Sequence, residues 1–375
     1  MRVLVAGGGT GGHFYPALSV MESLRDEDPA LQLAYVGTRH GIEARIVPSY
    51  SWIRFFPIHA RGLARGDPLH SALALILVPL SLLETFLIIA RFRPQIILGM
   101  GGYASFAAVF VGAHLGRLFP IRTVIHEQNV VPGLANRILA RFASKVLLSY
   151  PQSSRYLPSR APLVVTGNPI RKEFLLAQRT DALYRKFDLV PGRRTVLIFG
   201  GSQGSAALTA AVLRAKESIR ENEGIQVLLV TGNATEERSI VTELAEGGVR
   251  NVVVRPYIER MGEAFALADL VVSRAGATTL AEITSCGKPA LLIPWGGSAD
   301  GHQWENARYL EGKEACALAD ETAIAELGLA RLINQITADG EALTRMAHNS
   351  RKLGRPEAAR SILGELNTMH RVREA

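Results

Sequence analysis

His13 is the first residue whose type and position suggest chemistry. It directly follows the run Gly7-Gly8-Gly9-Thr10-Gly11-Gly12, in which five glycines occur within six residues. The apolar run Val3–Ala6 indicates a buried parallel strand, and Pro16 is typical of a helix's first turn. Amides at a helix N-terminus favour an anion, most often phosphate, although glycines can also simply allow a tight turn. An imidazole there could deprotonate a substrate hydroxyl, or could merely hydrogen-bond at a helix start.

Two further glycine loops follow predicted strands. Gly99–Phe106 runs into an alanine-rich helix, and Gly200–Ser205 precedes a helix from about Ala206. A polar cluster, His126–Asn129, ends another predicted strand. Parallel sheets bind ligands beyond the carboxyl ends of their strands, so these loops are expected to line binding sites.

The apolar runs predict two successive α/β halves. With 375 residues, the chain is too long for one ordinary core. After Val3–Ala6, the predicted strands of the first half are Leu31–Gly37, Trp52–Ile58, Pro94–Gly99, Arg122–His126, Lys145–Ser149 and Leu163–Thr166. Those of the second half are Thr195–Phe199, Val227–Thr231, Val252–Arg255, Leu270–Ser273 and Pro289–Pro294. The fold class is therefore α/β, with two doubly wound Rossmann-like domains facing a cleft. The expected domains are residues 1–166 and 167–355, with a C-terminal helix at 356–375 that packs back on the first domain.

Composition narrows the function classes. Hydrophobic residues make up 48% and charged residues 20%, which is typical of a globular protein, and the net charge of +8 suits an anionic membrane surface or phosphorylated small substrates. The sequence contains no cluster of Lys and Arg residues of the kind that binds nucleic acid. Cys286 and Cys316 have neither metal-ligand spacing nor a disulfide framework, which indicates a reducing cytoplasm. No signal peptide is expected ahead of the first strand, and no required metal is expected because no Asp-x-Asp ends a predicted strand.

The segment Ala72–Ala90 contains Glu84 as its only charge and Pro79 near its middle. A membrane span needs about twenty apolar residues, so length alone would allow one, but the glutamate and the proline argue against it. A buried domain helix and a helix in the membrane interface are the alternatives. The flanking arginines (Arg61, Arg65, Arg91 and Arg93) favour partial membrane contact.

The motifs taken together resemble the MurG family of bacterial N-acetylglucosamine transferases, from Val3 to about Gly312. The residues that carry the resemblance are Gly8–His13 with Pro16, Gly99–Phe106, His126–Asn129 with Pro132-Gly133, Gly167–Arg171, Gly200–Gly204, Arg274–Glu282, and His302-Gln303 with Asn306. The resemblance implies a GT-B fold and an inverting, β-1,4-forming hexosyl transfer. The donor would be UDP-N-acetylglucosamine and the acceptor undecaprenyl-diphosphate-linked lipid I, which becomes lipid II in peptidoglycan synthesis. It also implies a peripheral enzyme on the cytoplasmic face of the inner membrane, with an anionic membrane surface and other cell-wall synthesis proteins as partners, no nucleic acid and no cofactor.

The resemblance also implies the site residues. The candidate bases are His13 and Glu127. Acceptor-binding positions are Gly9, Gly101, Gly102, Tyr103 and Gln128. Donor-binding positions are Thr10, Gly11, Gly12, Asn129, Arg171, Ser202, Ile258, Ala277, Thr278, Thr279, Leu280, Ala281, Glu282, His302, Gln303 and Asn306. The division of roles between His302 and Gln303 stays open.

Individual residues of this set could also have purely structural roles. Glu282 could favour a helix start, Arg171 could form a surface ion pair, and Asn306 could lie on a helix surface. At the level of function, the rivals are another glycosyltransferase of the same fold, a UDP-sugar 2-epimerase, and a membrane-associated nucleotide-binding module without turnover.

Overall fold

The computed structural model describes residues 1–62, 68–158, 160–201 and 204–371. The chain divides into two units. The first comprises Met1–Arg171 together with the chain from Glu357 onward, and the second is Lys172–Pro356. The expected boundary followed residue 166, whereas the observed one follows Arg171.

The first unit is built on a parallel sheet that has seven strands among the described residues, in the order β3-β2-β1-β4-β5-β6-β7. These strands are β1 Arg2–Ala6, β2 Gln32–Thr38, β3 Ile53–Ile58, β4 Ile96–Gly99, β5 Arg122–Glu127, β6 Lys145–Leu148 and β7 Leu163–Val165. Ala6 at the end of β1 is in register with both Val36 and Gly99. Since β1, β4 and β5 are neighbours, the segments that follow them lie side by side at one edge of the sheet.

Helices cover both faces of this sheet. They are α1 Gly11–Glu27, α2 Ile42–Ile46, α3 Pro68–Phe92, α4 Gly102–Leu115 and α5 Leu134–Leu139. On one face, β1 and β4 pack through Val3, Val5 and Leu98 against Phe14 and Met21 of α1. These apolar strand residues are fully buried, as expected for a parallel sheet with helices on both faces.

The second unit contains a parallel sheet with six strands in its described part, in the order β10-β9-β8-β11-β12-β13. The strands are β8 Arg194–Phe199, β9 Ile225–Val230, β10 Val252–Arg255, β11 Leu270–Ser273, β12 Ala290–Leu292 and β13 Ala317–Leu318. The helices are α6 Glu173–Leu176, α7 Asp181–Lys186, α8 Ala206–Arg214, α9 Lys216–Glu221, α10 Ala234–Glu246, α11 Met261–Leu267, α12 Ala277–Cys286, α13 His302–Glu311, α14 Glu321–Leu327, α15 Leu329–Ala338 and α16 Gly340–Leu353. The predicted class of two doubly wound parallel sheets is confirmed.

The last helix, α17 (Ala358–Arg371), belongs to the first unit. Its Ile362 and Leu366 are fully buried in the same core cluster as β1 and α1. The ammonium of Lys145 donates to Glu365 Oε2 at 2.6 Å. Burying the apolar face of α17 therefore helps to hold the first sheet together.

In two places in the second unit, the structure differs from what the sequence pattern predicts. The sequence pattern predicts one helix over Glu321–Ile336, but Gly328 adopts a φ of +80° and separates α14 from α15. That backbone conformation favours glycine and interrupts a helix. The two-residue strand β13 was not predicted, because two residues are too few to show an apolar pattern.

Helix α3 contains the apolar segment 72–90 and has two different faces. Thr85, Ile89 and Phe92 are buried, whereas Ile76, Leu83 and Leu87 are 71%, 56% and 58% exposed. The segment therefore packs one face on the first unit and leaves an apolar face exposed. Among the described residues, no helix combines the length and apolarity needed to cross a membrane.

Candidate functional site

The first glycine loop connects β1 to α1. Gly9 has a φ of +90°, which glycine adopts without strain. Thr10 is the N-cap of α1 in an extended conformation, and its carbonyl accepts from the amides of His13 and Phe14. The loop thus sets the start of a helix of 17 residues, whose N-terminus is suited to an anion.

The imidazole of His13 folds back onto this loop. Its Nδ1 lies 3.3 Å from the carbonyl oxygen of Gly8 and 3.4 Å from Thr10 Oγ1. A carbonyl oxygen only accepts, so the contact with Gly8 assigns the ring proton to Nδ1. Nε2 is then the basic nitrogen, as a general base requires.

The second glycine loop packs against the first. Gly101 and Gly102 have φ values of +94° and +80°. A Cβ on Gly101 would lie 2.9 Å from His13 Nε2, and one on Gly102 would lie 2.7 Å from the Gly8 carbonyl oxygen. Gln128 Nε2 donates to the carbonyl of Met100 at 2.7 Å and ties β5 to the same loop. The structure therefore brings three of the predicted acceptor positions, Gly101, Gly102 and Gln128, together beside His13.

Glu127 is a buried carboxylate with several donors. Oε1 accepts from the backbone and side-chain nitrogens of Asn129 at 2.8 and 3.3 Å, and Oε2 accepts from Asn136 Nδ2 at 2.8 Å and from the Gly133 amide at 3.2 Å. Burial raises the pKa of Glu127, and these hydrogen bonds oppose that effect. The carboxylate holds the turn after β5, so its geometry suits a base less well than that of His13.

Two other predicted residues of the first unit lie near these loops. Tyr103, in the first turn of α4, is partly exposed and would contact a Cβ on Gly62 at 3.2 Å. Arg171 was predicted to bind the donor and was assigned to the second domain, but it belongs to the first unit. Its guanidinium lies over the ring of Tyr15 in α1.

In the second unit, the third glycine loop follows β8. Gly201 and Gly204 have positive φ values, and Ser205 caps α8 by accepting from the Leu208 amide at 3.4 Å. Ser202 lies outside the described residues. The neighbouring strand β11 leads to Gly276, the N-cap of α12, whose amide end was predicted to face the donor.

The predicted donor residues of α12 differ in exposure. Thr278, Thr279 and Ala281 are partly exposed, Ala277 and Glu282 are buried, and the side chain of Leu280 is fully buried. A contact of Leu280 with a ligand would have to use its backbone. Glu282 lies in the second turn of α12, and its role in donor binding stays a prediction.

Two of the predicted residues on α13 hydrogen-bond to backbone groups just after β11 and β12. Gln303 Oε1 accepts from the Trp295 amide at 2.9 Å, and the fully buried Asn306 donates to the Ala275 carbonyl at 3.3 Å. His302 is the first residue of the helix. Ile258 follows β10 and is buried, three strand positions from β11 in the sheet order. The strand that precedes Ile258 is therefore not a neighbour of β11, the strand that leads into α12.

Arg274 was not predicted as an individual site residue, but in the structure it hydrogen-bonds to several segments of the second unit. Its Nη2 donates to Ser205 Oγ at 3.0 Å and to Glu321 Oε1 at 2.5 Å, and Nη1 donates to the Ile293 carbonyl at 3.2 Å. It joins the C-terminal ends of β8, β11 and β12. A single arginine after a strand carries no sequence signal for such a role. In the described part of the chain, no group of three or more His, Cys, Asp or Glu side chains could hold a metal ion.

Comparison with known proteins agrees with this arrangement. Residues 3–148 match the model of the glycosyltransferase family 28 N-terminal domain, and residues 195–362 match that of the C-terminal domain. The chain belongs to glycosyltransferase family 28. It is 39% identical, over 97% of both chains, to a protein of Desulforamulus reducens named UDP-N-acetylglucosamine--N-acetylmuramyl-(pentapeptide) pyrophosphoryl-undecaprenol N-acetylglucosamine transferase.

Solved structures support the fold of this family 28 glycosyltransferase. MurG of Acinetobacter baumannii aligns with a TM-score of 0.76 at 24% identity over 98% of this chain and 99% of its own. UDP-GlcNAc 2-epimerase of Neisseria meningitidis aligns with a TM-score of 0.69 at 16% identity over 98% of this chain and all (100%) of its own. Transferases and epimerases share the architecture, so the fold alone does not distinguish them. The family membership confirms the predicted glycosyltransferase.

Proposed function

We propose that this chain transfers N-acetylglucosamine from UDP-N-acetylglucosamine to the C4 hydroxyl of the N-acetylmuramyl-pentapeptide of lipid I and gives lipid II. The observation that carries the proposal is the 39% identity, across both units, to a relative named for this transfer. The glycine loops of both units fit it, because acceptor and donor each carry a diphosphate.

The acceptor end of the reaction is assigned to the first unit. His13 Nε2 takes the proton of the C4 hydroxyl as that oxygen attacks the anomeric carbon of the donor sugar. The bond between the anomeric carbon and the UDP oxygen breaks, and UDP leaves with the bonding electrons. Direct displacement of this kind inverts the anomeric centre and gives a β-1,4 link.

The donor end is assigned mainly to the second unit. Negative charge grows on the departing diphosphate, and cations or helix N-termini stabilise such charge. The Gly200–Gly204 loop, the N-terminus of α12 and Arg171 are proposed for this task, with Glu282 accepting from the ribose hydroxyls. This set replaces a metal in the proposal, so the transfer is expected to proceed in chelator.

The chain is further proposed to bind the cytoplasmic face of the inner membrane as a peripheral protein. The exposed apolar face of α3 carries Ile76, Leu83 and Leu87, and Arg61 and Arg91 lie near its ends in the sequence. An apolar face with flanking cations suits the interface of an anionic bilayer. The enzyme would then bind its lipid-linked acceptor at the bilayer surface in which that acceptor is anchored.

The test is UDP release from UDP-N-acetylglucosamine by the purified protein in EDTA, with and without a short-chain lipid I analogue. Release that requires the analogue, with a disaccharide product, is the expected result. Release without acceptor would instead indicate hydrolysis or 2-epimerisation. Binding of UDP without any release would indicate a nucleotide-binding module and contradict the proposal.

A further inference from the structure

Glu43 is a buried carboxylate to which the proposed reaction assigns no role. It lies in α2 and is 0% exposed. Its Oε1 accepts from the Thr38 amide at 2.8 Å, from Thr38 Oγ1 at 2.8 Å and from the Gly9 amide at 3.2 Å. The last of these bonds reaches the first glycine loop from α2, which is 34 residues further along the chain.

The surrounding backbone leaves room for this side chain at three separate places. A Cβ on Gly8 would lie 2.8 Å from Glu43 Oε1, and one on Gly37 would lie 2.5 Å from Glu43 Cγ. A Cβ on Gly41 would come closer still to the carboxylate. Three glycines, in the first loop, in β2 and before α2, thus accommodate one glutamate. A buried charge costs several kcal/mol unless its hydrogen bonds compensate, so its placement here calls for a reason.

The peptide group between Gly8 and Gly9 supplies that reason. Its N–H donates to Glu43 Oε1 at 3.2 Å, and its C=O accepts from His13 Nδ1 at 3.3 Å. The two ends of one planar amide thus contact a carboxylate and the candidate base. A charged acceptor on the N–H polarises the amide, and its carbonyl oxygen then accepts more strongly.

We propose that Glu43 is a positioning residue that fixes the tautomer and orientation of His13 through the Gly8–Gly9 peptide. The arrangement does the work of a carboxylate–histidine pair, with one peptide group placed between the two side chains. It keeps the proton on Nδ1 and leaves Nε2 basic. The inference rests on the proposed function, in which His13 is the general base.

The groups that face this pair simplify a pH experiment. Tyr35 from β2 faces Glu43, and burial, together with the charge of Glu43, raises the pKa of Tyr35 well above its usual value. Tyr35 therefore stays neutral across an ordinary assay range. Thr10, Gly101 and Gly102, which lie close to His13, have no titratable side chains.

The kinetic test compares Glu43→Gln with Glu365→Gln, which removes another carboxylate from the same unit in its ion pair with Lys145. Glu43→Gln keeps the shape but loses the charge. We expect its kcat to fall roughly 10-fold, a part of the 10²–10⁴ that a positioned base contributes. The KM for UDP-N-acetylglucosamine should stay within about twofold. The acidic limb of the pH–rate profile should move to lower pH, because the less polarised carbonyl stabilises the protonated ring less. Glu365→Gln should change neither kcat nor the limb.

A second measurement reads the ring directly and does not need turnover. Long-range ¹H–¹⁵N spectra of histidine-labelled protein report the tautomer, and the His13 signal is assigned by its loss in His13→Gln. Wild type should show the Nδ1–H form, and Glu43→Gln and Glu43→Ala should shift toward a mixture. Unchanged ring signals in both variants, or a Glu43→Gln enzyme with wild-type kcat and pH profile, would overturn the inference. A wild type without transferase activity would instead count against the proposed function.

Discussion

The guanidinium carbon of Arg171 lies 4.6 Å from the centre of the Tyr15 ring. Tyr15 lies two residues after His13 in α1. The same helix therefore carries the proposed base and the ring that contacts Arg171, a proposed donor-binding residue. A cation over an aromatic face is worth about 0.5–2 kcal/mol. The ring therefore presets the direction in which this arginine points.

We expect Tyr15→Leu to raise the KM for UDP-N-acetylglucosamine about fivefold, with a smaller effect on kcat, because Arg171 loses its aromatic support. Tyr15→Phe keeps the ring and should behave like wild type. Steady-state kinetics with varied donor provide the measurement. Equal KM values in Tyr15→Leu and wild type would show that the stacking does not help donor binding.

Gly101→Ala should abolish most of the activity while the protein stays folded. The added Cβ would lie 2.9 Å from His13 Nε2, at a φ of +94° that strains any other residue. We expect kcat to fall about 100-fold, the lower end of a general base's contribution. Gly364→Ala in α17 is the control, since its Cβ meets nothing within 4 Å and alanine favours a helix. A Gly101→Ala enzyme with normal kcat would argue against His13 as the base.

The sequence predicted most of the strands and the loops that follow them. Apolar runs followed by glycines located β1, β4 and β8 because both signals are local. The pairing of β4 with both β1 and β5 brings His13, Gly101 and Gln128 together, as expected for parallel strands. The break at Gly328 was missed, because a glycine within a helical pattern does not reveal its φ.

Burial and long-range hydrogen bonds were not readable from local pattern. The segment 72–90 is apolar except for Ser81, Glu84 and Thr85, and because Ser81 and Thr85 are buried, the pattern does not show which face α3 leaves exposed. Glu43 stands among ordinary residues, and its link to Gly9 depends on how β2 and α2 return beside the first loop. Arg274 acts through contacts with two other strand ends. Such roles arise from tertiary packing and carry no sequence motif.

Membrane association is expected to depend on the exposed face of α3. Leu83→Glu with Leu87→Glu places two charges on residues that are 56% and 58% exposed, so folding should be little affected. Flotation with anionic vesicles should show loss of binding, whereas activity on a short-chain soluble acceptor should persist. Leu176→Glu with Leu327→Glu, on exposed residues of the second unit, is the matched control. Equal flotation of both double variants would assign membrane binding elsewhere.

The free energy of unfolding of the first unit should decrease as the pH falls, because His126 is buried in its neutral form. This side chain is fully buried, and Nε2 donates to the Gly167 carbonyl at 2.8 Å. Burial lowers the pKa of His126 from 6.5 to about 4, although the bond to Gly167 works in the opposite direction. Between these values the unfolded chain binds a proton that the folded chain does not. The full stability is therefore present above pH 6.5 and is lost as the pH falls toward 4.

The free energy of unfolding lost through His126 amounts to about 3 kcal/mol near pH 4, since each pKa unit corresponds to about 1.4 kcal/mol. His126→Gln can still donate to Gly167 but does not titrate, so its unfolding free energy should depend less steeply on pH over the same interval. Urea unfolding at pH 7, 5.5 and 4.5 measures both slopes. Equal slopes for the two proteins would mean that His126 is not the titrating group, and that the acid sensitivity of the unit comes from other side chains.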